Sequence, residues 1–132
     1  MKVTKFRVEN FRNIDDSGWI PTEQVTAFVG RNESGKTTLL KALHKFNPAT
    51  PEPVNPQRDF PRDRYTSDFD DPAKWHFCAV EFSFDEAFRG EIGNQFGIAE
   101  PPTGAVCNAG MMATSRSICC RPLRWLRSQP TR

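Results

Sequence analysis

The 132-residue chain has no run of 18 or more apolar residues, so the sequence given contains no membrane-spanning helix. Behind Met1-Lys2-Val3-Thr4-Lys5 there is no apolar stretch of the kind a secretory signal needs, and a cytoplasmic location is expected. Histidine is scarce: His44 and His76 stand isolated and read as surface or packing residues rather than ligands or bases. Cysteine is little better represented. Cys78, Cys107, Cys119 and Cys120 form no C-x-x-C pair and no His follows them, which argues against a zinc cage. Without an export signal, disulfides are not expected either. What remains, 37% hydrophobic residues with 18 basic and 16 acidic side chains, suits one small soluble domain and argues against disorder.

Acid is missing altogether from residues 101–132, which carry five Arg and no Lys, net +5. Residues 1–100 hold 13 Lys and Arg against all 16 acids, net −3. All eleven Phe lie at or before Phe96, whereas three of the four Cys lie in the last quarter. The tail therefore differs in kind from the rest, and residues 100–132 are expected to form a basic segment without a stable fold.

The genetic code suggests a reason. Met has a single codon, so at Met111-Met112 the frame that starts on each second base meets a stop. The frame that starts on each third base stays open and reads Asp-Gly across Met111-Met112-Ala113. The same third-base frame gives an apolar pair across Ile118-Cys119-Cys120 and another across Arg124-Trp125-Leu126. An Asp-Gly turn followed by apolar segments is the pattern of a β-hairpin, so the chain is expected to leave its ancestral frame near residues 101–107.

Residues 1–99 follow an α/β pattern. Phe6 and Val8 alternate with Lys5, Arg7 and Glu9, the period of a half-buried strand. Asp15-Asp16-Ser17-Gly18 reads as a turn, and Trp19-Ile20 as a short apolar return that Pro21 interrupts. Val25-Thr26-Ala27-Phe28-Val29 reads as a central strand ending at Gly30. From Thr37 the period becomes helical: Leu39, Leu40, Leu43 and Phe46 share a face, with Lys41, His44 and Lys45 opposite, and Pro48 stops the helix at Asn47. Residues 48–72, with six Pro, read as a long surface loop without regular structure. Phe77 to Phe84 alternates as a further strand, with Trp75 and His76 packing at its entry.

Chemistry is concentrated between the central strand and the helix. Gly30-Arg31-Asn32-Glu33-Ser34-Gly35-Lys36-Thr37 matches the phosphate-binding pattern G-x-x-x-x-G-K-[ST], with the preceding strand and following helix that its mechanism requires. The glycines let the backbone curl with N–H groups turned inward, and the loop opens onto a helix N-terminus whose dipole favours an anion. Lys36 supplies a mobile charge for the β- and γ-phosphates of ATP. The Thr37 hydroxyl is placed to ligate Mg²⁺, and Thr38 is a weaker candidate for an α-phosphate contact.

Asn10-Phe11-Arg12-Asn13, then a strand, then Gly30 through Thr38-Leu39-Leu40 resembles the start of the ABC-type ATPases of the SMC, RecF and OLD nuclease group. It is most similar to the OLD-like and RecF-like AAA ATP-binding domains, firmly over residues 1–46 and more loosely to residue 99. The resemblance implies an α/β P-loop NTPase fold, with residues 1–99 as the N-terminal lobe of a truncated head domain. It further implies ATP and Mg²⁺ binding, a homodimer with nucleotide between subunits, and coupling to DNA in repair, recombination or phage defence. It would also place Arg12, from the first hairpin, near the nucleotide; a solvated Arg beside Phe11 is the alternative.

Departures from the family pattern fall on catalysis. The Leu-Ser-Gly-Gly signature and switch His are absent, and Val80-Glu81-Phe82-Ser83-Phe84-Asp85-Glu86 ends in an Asp-Glu pair but alternates like a half-exposed strand, unlike a Walker B segment. A GTPase is disfavoured because Asn-Lys-x-Asp is missing and Asp15-Asp16-Ser17-Gly18 precedes the P-loop. A small-molecule kinase stays open, as does a nucleic-acid-binding module using the five tail Arg and Trp125.

Overall fold

The computed structural model describes residues 1–31, 34–50, 52–68, 70–71, 74–111 and 118–122. Strand β1 (Lys2–Phe11) turns at Arg12-Asn13 into β2 (Ile14–Asp16), and β3 (Ile20–Pro21) pairs further back along the same edge of β1. The other edge of β1 takes β4 (His76–Ser83), followed outward by β5 (Gly104–Gly110) and β6 (Ile118–Pro122). Every pairing is antiparallel. Four helices complete the description: α1 (Lys36–Phe46), α2 (Pro56–Asp59), α3 (Arg62–Asp68) and α4 (Glu86–Phe96).

The core lies where α1 and the segment around α2 cover the sheet. Phe6, Val8 and Phe11 of β1 and Phe77, Cys78 and Val80 of β4 meet Ala42, Val54 and Phe60, with Leu39, Leu43 and Phe46 packed on them. Four of the largest buried side chains are Phe6, Phe11, Phe60 and Phe77, and burying each contributes about 1.5–3 kcal/mol. Burial also pushes the Cys78 thiol up to about 12, because a thiolate there would lose its hydration.

Several expectations are corrected. The first hairpin turns at Arg12-Asn13, three residues before the Asp15–Gly18 cluster, because Ile14 pairs with Phe11 and Asp16 with Glu9. Residues 25–29 form no strand: Val25 is 86% and Val29 95% exposed, and none of the described strands takes this segment as a neighbour. Phe28 is anchored, edge-on to Phe6 at 6.1 Å, and the Thr26 hydroxyl accepts the Glu23 N–H at 3.0 Å. Extended backbone without a ladder partner stays solvated.

The Pro-rich stretch is not a bare loop. Asn55 Oδ1 accepts the Gln57 N–H at 3.1 Å and Pro56 occupies the first turn, so α2 starts with a cap and a pre-set φ. The apolar face of α1 is also shifted. Leu40 is 54% exposed, whereas the Lys45 side chain is 2% exposed, drawn inward by Glu52 Oε1 at 2.9 Å and the Pro53 carbonyl at 3.2 Å. In β4, Phe77–Val80 is buried as a run rather than alternating, since β1 and β5 flank it and both faces are covered there.

Among the described residues beyond 100, Gly104–Gly110 and Ile118–Pro122 join the sheet. β5 takes the edge of β4 from Ser83↔Gly104 to His76↔Gly110, an edge that would otherwise leave its N–H and C=O groups unpaired, and buries Cys107, Ala109 and Met111. Cys107 lies opposite Cys120 in the β5–β6 register and the two form a disulfide, contrary to the expectation drawn from the lack of an export signal; cross-strand register is not visible in sequence separation. Met112, Ala113 and Arg124-Trp125-Leu126 lie outside the described residues.

Candidate functional site

The Gly30–Thr38 loop docks on the β1–β2 turn. Gly35 is the N-cap of α1 with φ +85°, a left-handed angle. A Cβ there would stand 3.6–3.7 Å from Ile14 and Asn13, ordinary contact, so the backbone angle rather than space requires glycine. At Gly30 a Cβ would come 3.0 Å from Ser34 Oγ, so the Ser34 side chain would have to give by a few tenths of an ångström, and 3.8 Å from Lys36 Nζ, an ordinary contact. Thr38 Oγ1 donates to Asn13 Oδ1 at 2.8 Å, fastening the first turn of α1 to the hairpin.

Lys36 Nζ donates into the curl of its own loop, to the Gly30 carbonyl at 2.7 Å, to Ser34 Oγ at 3.1 Å and to the Arg31 carbonyl. These acceptors are neutral, so a phosphate oxygen would be the stronger partner for the ammonium. Among the described residues no side chain caps the first turn of α1, and that turn holds no acid. Among the described residues its N–H groups and dipole thus meet no competing anion. Arg31, Ser34 and Thr37 are exposed, and Asn32 and Glu33 lie outside the described residues.

Arg12 is partly exposed but not free. Its Nε and Nη2 donate to Asp59 Oδ1 at 3.1 and 2.9 Å, its N–H donates to the Asp59 carbonyl at 2.7 Å, and its guanidinium lies 5.4 Å from the Phe11 ring centroid. Asp59 is 0% exposed. Burial works to raise its carboxyl, but the Asn55 N–H, the Arg12 guanidinium and Lys45 outweigh it and hold the group below its ordinary value. Sequence reasoning missed Asp59, which lies in the supposed loop, and gave Asn13 no role.

The Asp85-Glu86 pair is committed elsewhere. Asp85 Oδ1 accepts the Phe88 N–H at 2.9 Å as the cap of α4, and its Oδ2 lies 2.6 Å from the Met1 ammonium; Glu86 pairs with Arg89. This is the Lys2 end of β1, whereas the P-loop sits past Phe11 at the other end, about 30 Å away along a strand of this length. His44 lies 3.6 Å from Glu52, His76 opens β4, and Trp75 packs on Phe60 at 5.4 Å. Among the described residues no group of three or more His, Cys, Asp or Glu could hold a metal ion, and no helix is long and apolar enough to cross a membrane.

Gly35 in a left-handed turn, Lys36 folded back on Gly30 and a helix start that no described side chain caps, beside an antiparallel sheet, fit the N-terminal ATPase domain of the P-loop superfamily. Residues 1–86 match the AAA ATPase domain, and the chain belongs to that family of ATP-binding ATPases. The chain is similar to the DNA replication and repair protein RecF of Chlorobium luteolum, 43% identical over 44 residues. It is also similar to the RecF proteins of Shewanella sediminis and Shewanella baltica, 39% identical over 44 residues in each. These matches span 33% of this chain and 12% of each relative. No solved structure matches the chain.

Proposed function

We propose that residues Gly30–Thr38 bind the phosphates of ATP with Mg²⁺, as part of an ATPase of the RecF, SMC and OLD kind that acts on DNA in the cytoplasm as a homodimer. The observation that supports this best is the junction itself: Gly35 in a left-handed turn, Lys36 Nζ on the Gly30 carbonyl, and a helix N-terminus that no side chain caps among the described residues. The donor set suits a triphosphate. Main-chain N–H groups of the loop and Lys36 would face its oxygens, and the exposed Thr37 hydroxyl would be the protein's ligand to Mg²⁺. Bound Mg²⁺ would neutralise charge on the phosphates.

Turnover needs more than this loop. Water must be positioned and charge must follow the γ-phosphate, and the Asp85-Glu86 pair, at the far end of the sheet, does neither. The chain as given is expected to bind ATP weakly and hydrolyse it slowly or not at all. Calorimetric titration with ATP and Mg²⁺ tests the reading: saturable heat is expected, with Lys36→Ala weakening binding at least about tenfold. No heat with the unsubstituted chain overturns it. Rapid turnover abolished by Lys36→Ala overturns the claim of binding without catalysis.

A further inference from the structure

The Asp59 carboxylate is fully buried, yet it belongs to the segment with the least regular sequence in the domain. Its oxygens receive the Asn55 N–H at 3.1 Å and Arg12 at 2.9 and 3.1 Å, with Lys45 Nζ at 3.5 Å. Arg12 is thus held by side chain and backbone to one residue 47 positions away. Burying a carboxylate is costly, and such groups are best explained where they fix a geometry.

The geometry fixed here is unusual. Arg12 has φ +56°, a left-handed angle uncommon in a residue that is not Gly, Asn or Asp; Asn10, of a type that adopts it more readily, has φ +52°. The Asn10 side chain is clasped from both sides, donating to the His76 carbonyl at 3.3 Å and accepting from Arg64 Nη1 at 3.0 Å. The very next residue after Arg12 is Asn13, which accepts the Thr38 hydroxyl and lies under Gly35. Lys45, which reaches Asp59 from the other side, is in the last turn of the helix that Lys36 begins. One carboxylate therefore touches the turn beneath the start of α1 and the far end of α1 itself.

We infer that Asp59 is a positioning residue for the phosphate site: by fixing Arg12 and the Arg12-Asn13 turn, it sets where Thr38 and the first turn of α1 stand. This rests on the nucleotide-binding reading for its consequence, though not for its geometry. A carboxylate serving only to fill the core would leave the α1 start untouched when altered.

The test uses the full ¹⁵N-labelled chain with Asp59→Asn, Arg12→Gln and the double variant, read by amide spectra without nucleotide and by titration with ATP and Mg²⁺. Each single variant is expected to shift the Gly35 and Thr38 amide signals and to weaken ATP binding about tenfold, and the double variant no further than either. Two results overturn the inference: Gly35 and Thr38 signals that stay in place while those of 55–60 move, or affinity losses that multiply in the double variant. If the unsubstituted chain binds no ATP, the nucleotide reading fails, and the amide signals still decide the positioning. If Asp59→Asn does not fold, Arg12→Gln, on a partly exposed side chain, is read alone by the same signals: a Thr38 shift supports the inference and its absence overturns it.

Discussion

At the scale of single residues, Asp16 and Asp59, two carboxylates that each receive an arginine, differ in what they contribute. Asp16 is held down to about 2 by the Arg7 side chain, aided by the Gly18 N–H, but both partners are open to water and the pair adds little to stability. Asp59 is enclosed, and removing one member of such a buried pair costs about 3 kcal/mol or more. Its folded value lies below the unfolded one of about 3.9, so its contribution is complete at neutral pH and is lost as pH falls through the folded value. The melting temperature should therefore be level from about pH 7 to 5 and drop below about pH 4. Asp59→Asn should melt lower at pH 7 and lose part of that acid slope. An acid slope equal to the parent's would show that the carboxyl is not held by Arg12 and Lys45 in solution.

At the scale of elements, what could be read from sequence was what local chemistry decides. The P-loop helix was legible from Thr37 to its stop before Pro48, because period and proline act within a few residues; the structure begins it at Lys36 and caps it at Asn47. Helix α2 was legible in principle through Asn55-Pro56, a cap followed by a first-turn proline, but the six prolines drew the eye to a loop. Helix α4 likewise carries its Asp85 cap and a Gly97 stop at φ +63°. The inward turn of Lys45 was not legible, since its partners Glu52 and Asp59 are brought to it only by tertiary packing. Nor was the fate of Val25–Val29, whose composition suits a strand while pairing depends on a neighbour. With Val25 and Val29 solvated, Val25→Lys with Val29→Lys should change folding stability by no more than about 0.5 kcal/mol and raise solubility, as read by thermal melting and light scattering. A loss of several kcal/mol would mean that this segment is covered in solution.

For the molecule as a whole, the sheet and the reading frame bear on each other. β5 and β6 complete the antiparallel order, so truncating the chain at residue 100 would strip β5 from β4 and expose the buried run Phe77–Val80; a test of nucleic-acid binding by the basic tail must keep residues to 122. Yet these strands carry the part of the sequence that changes character, rich in Arg and without acid. The third-base frame puts Asp-Gly across residues 111–113, directly after β5 ends at Gly110, and an apolar pair across 118–120, where β6 begins. A hairpin would then be encoded at the place where the backbone already forms two paired strands, with better turn chemistry and more apolar side chains. We therefore expect the gene's nucleotide sequence to show the third-base frame open from about codon 105 onward. A stop codon in the third-base frame within the next few dozen codons would remove the frame change, and the basic tail would then have to be explained as selected sequence.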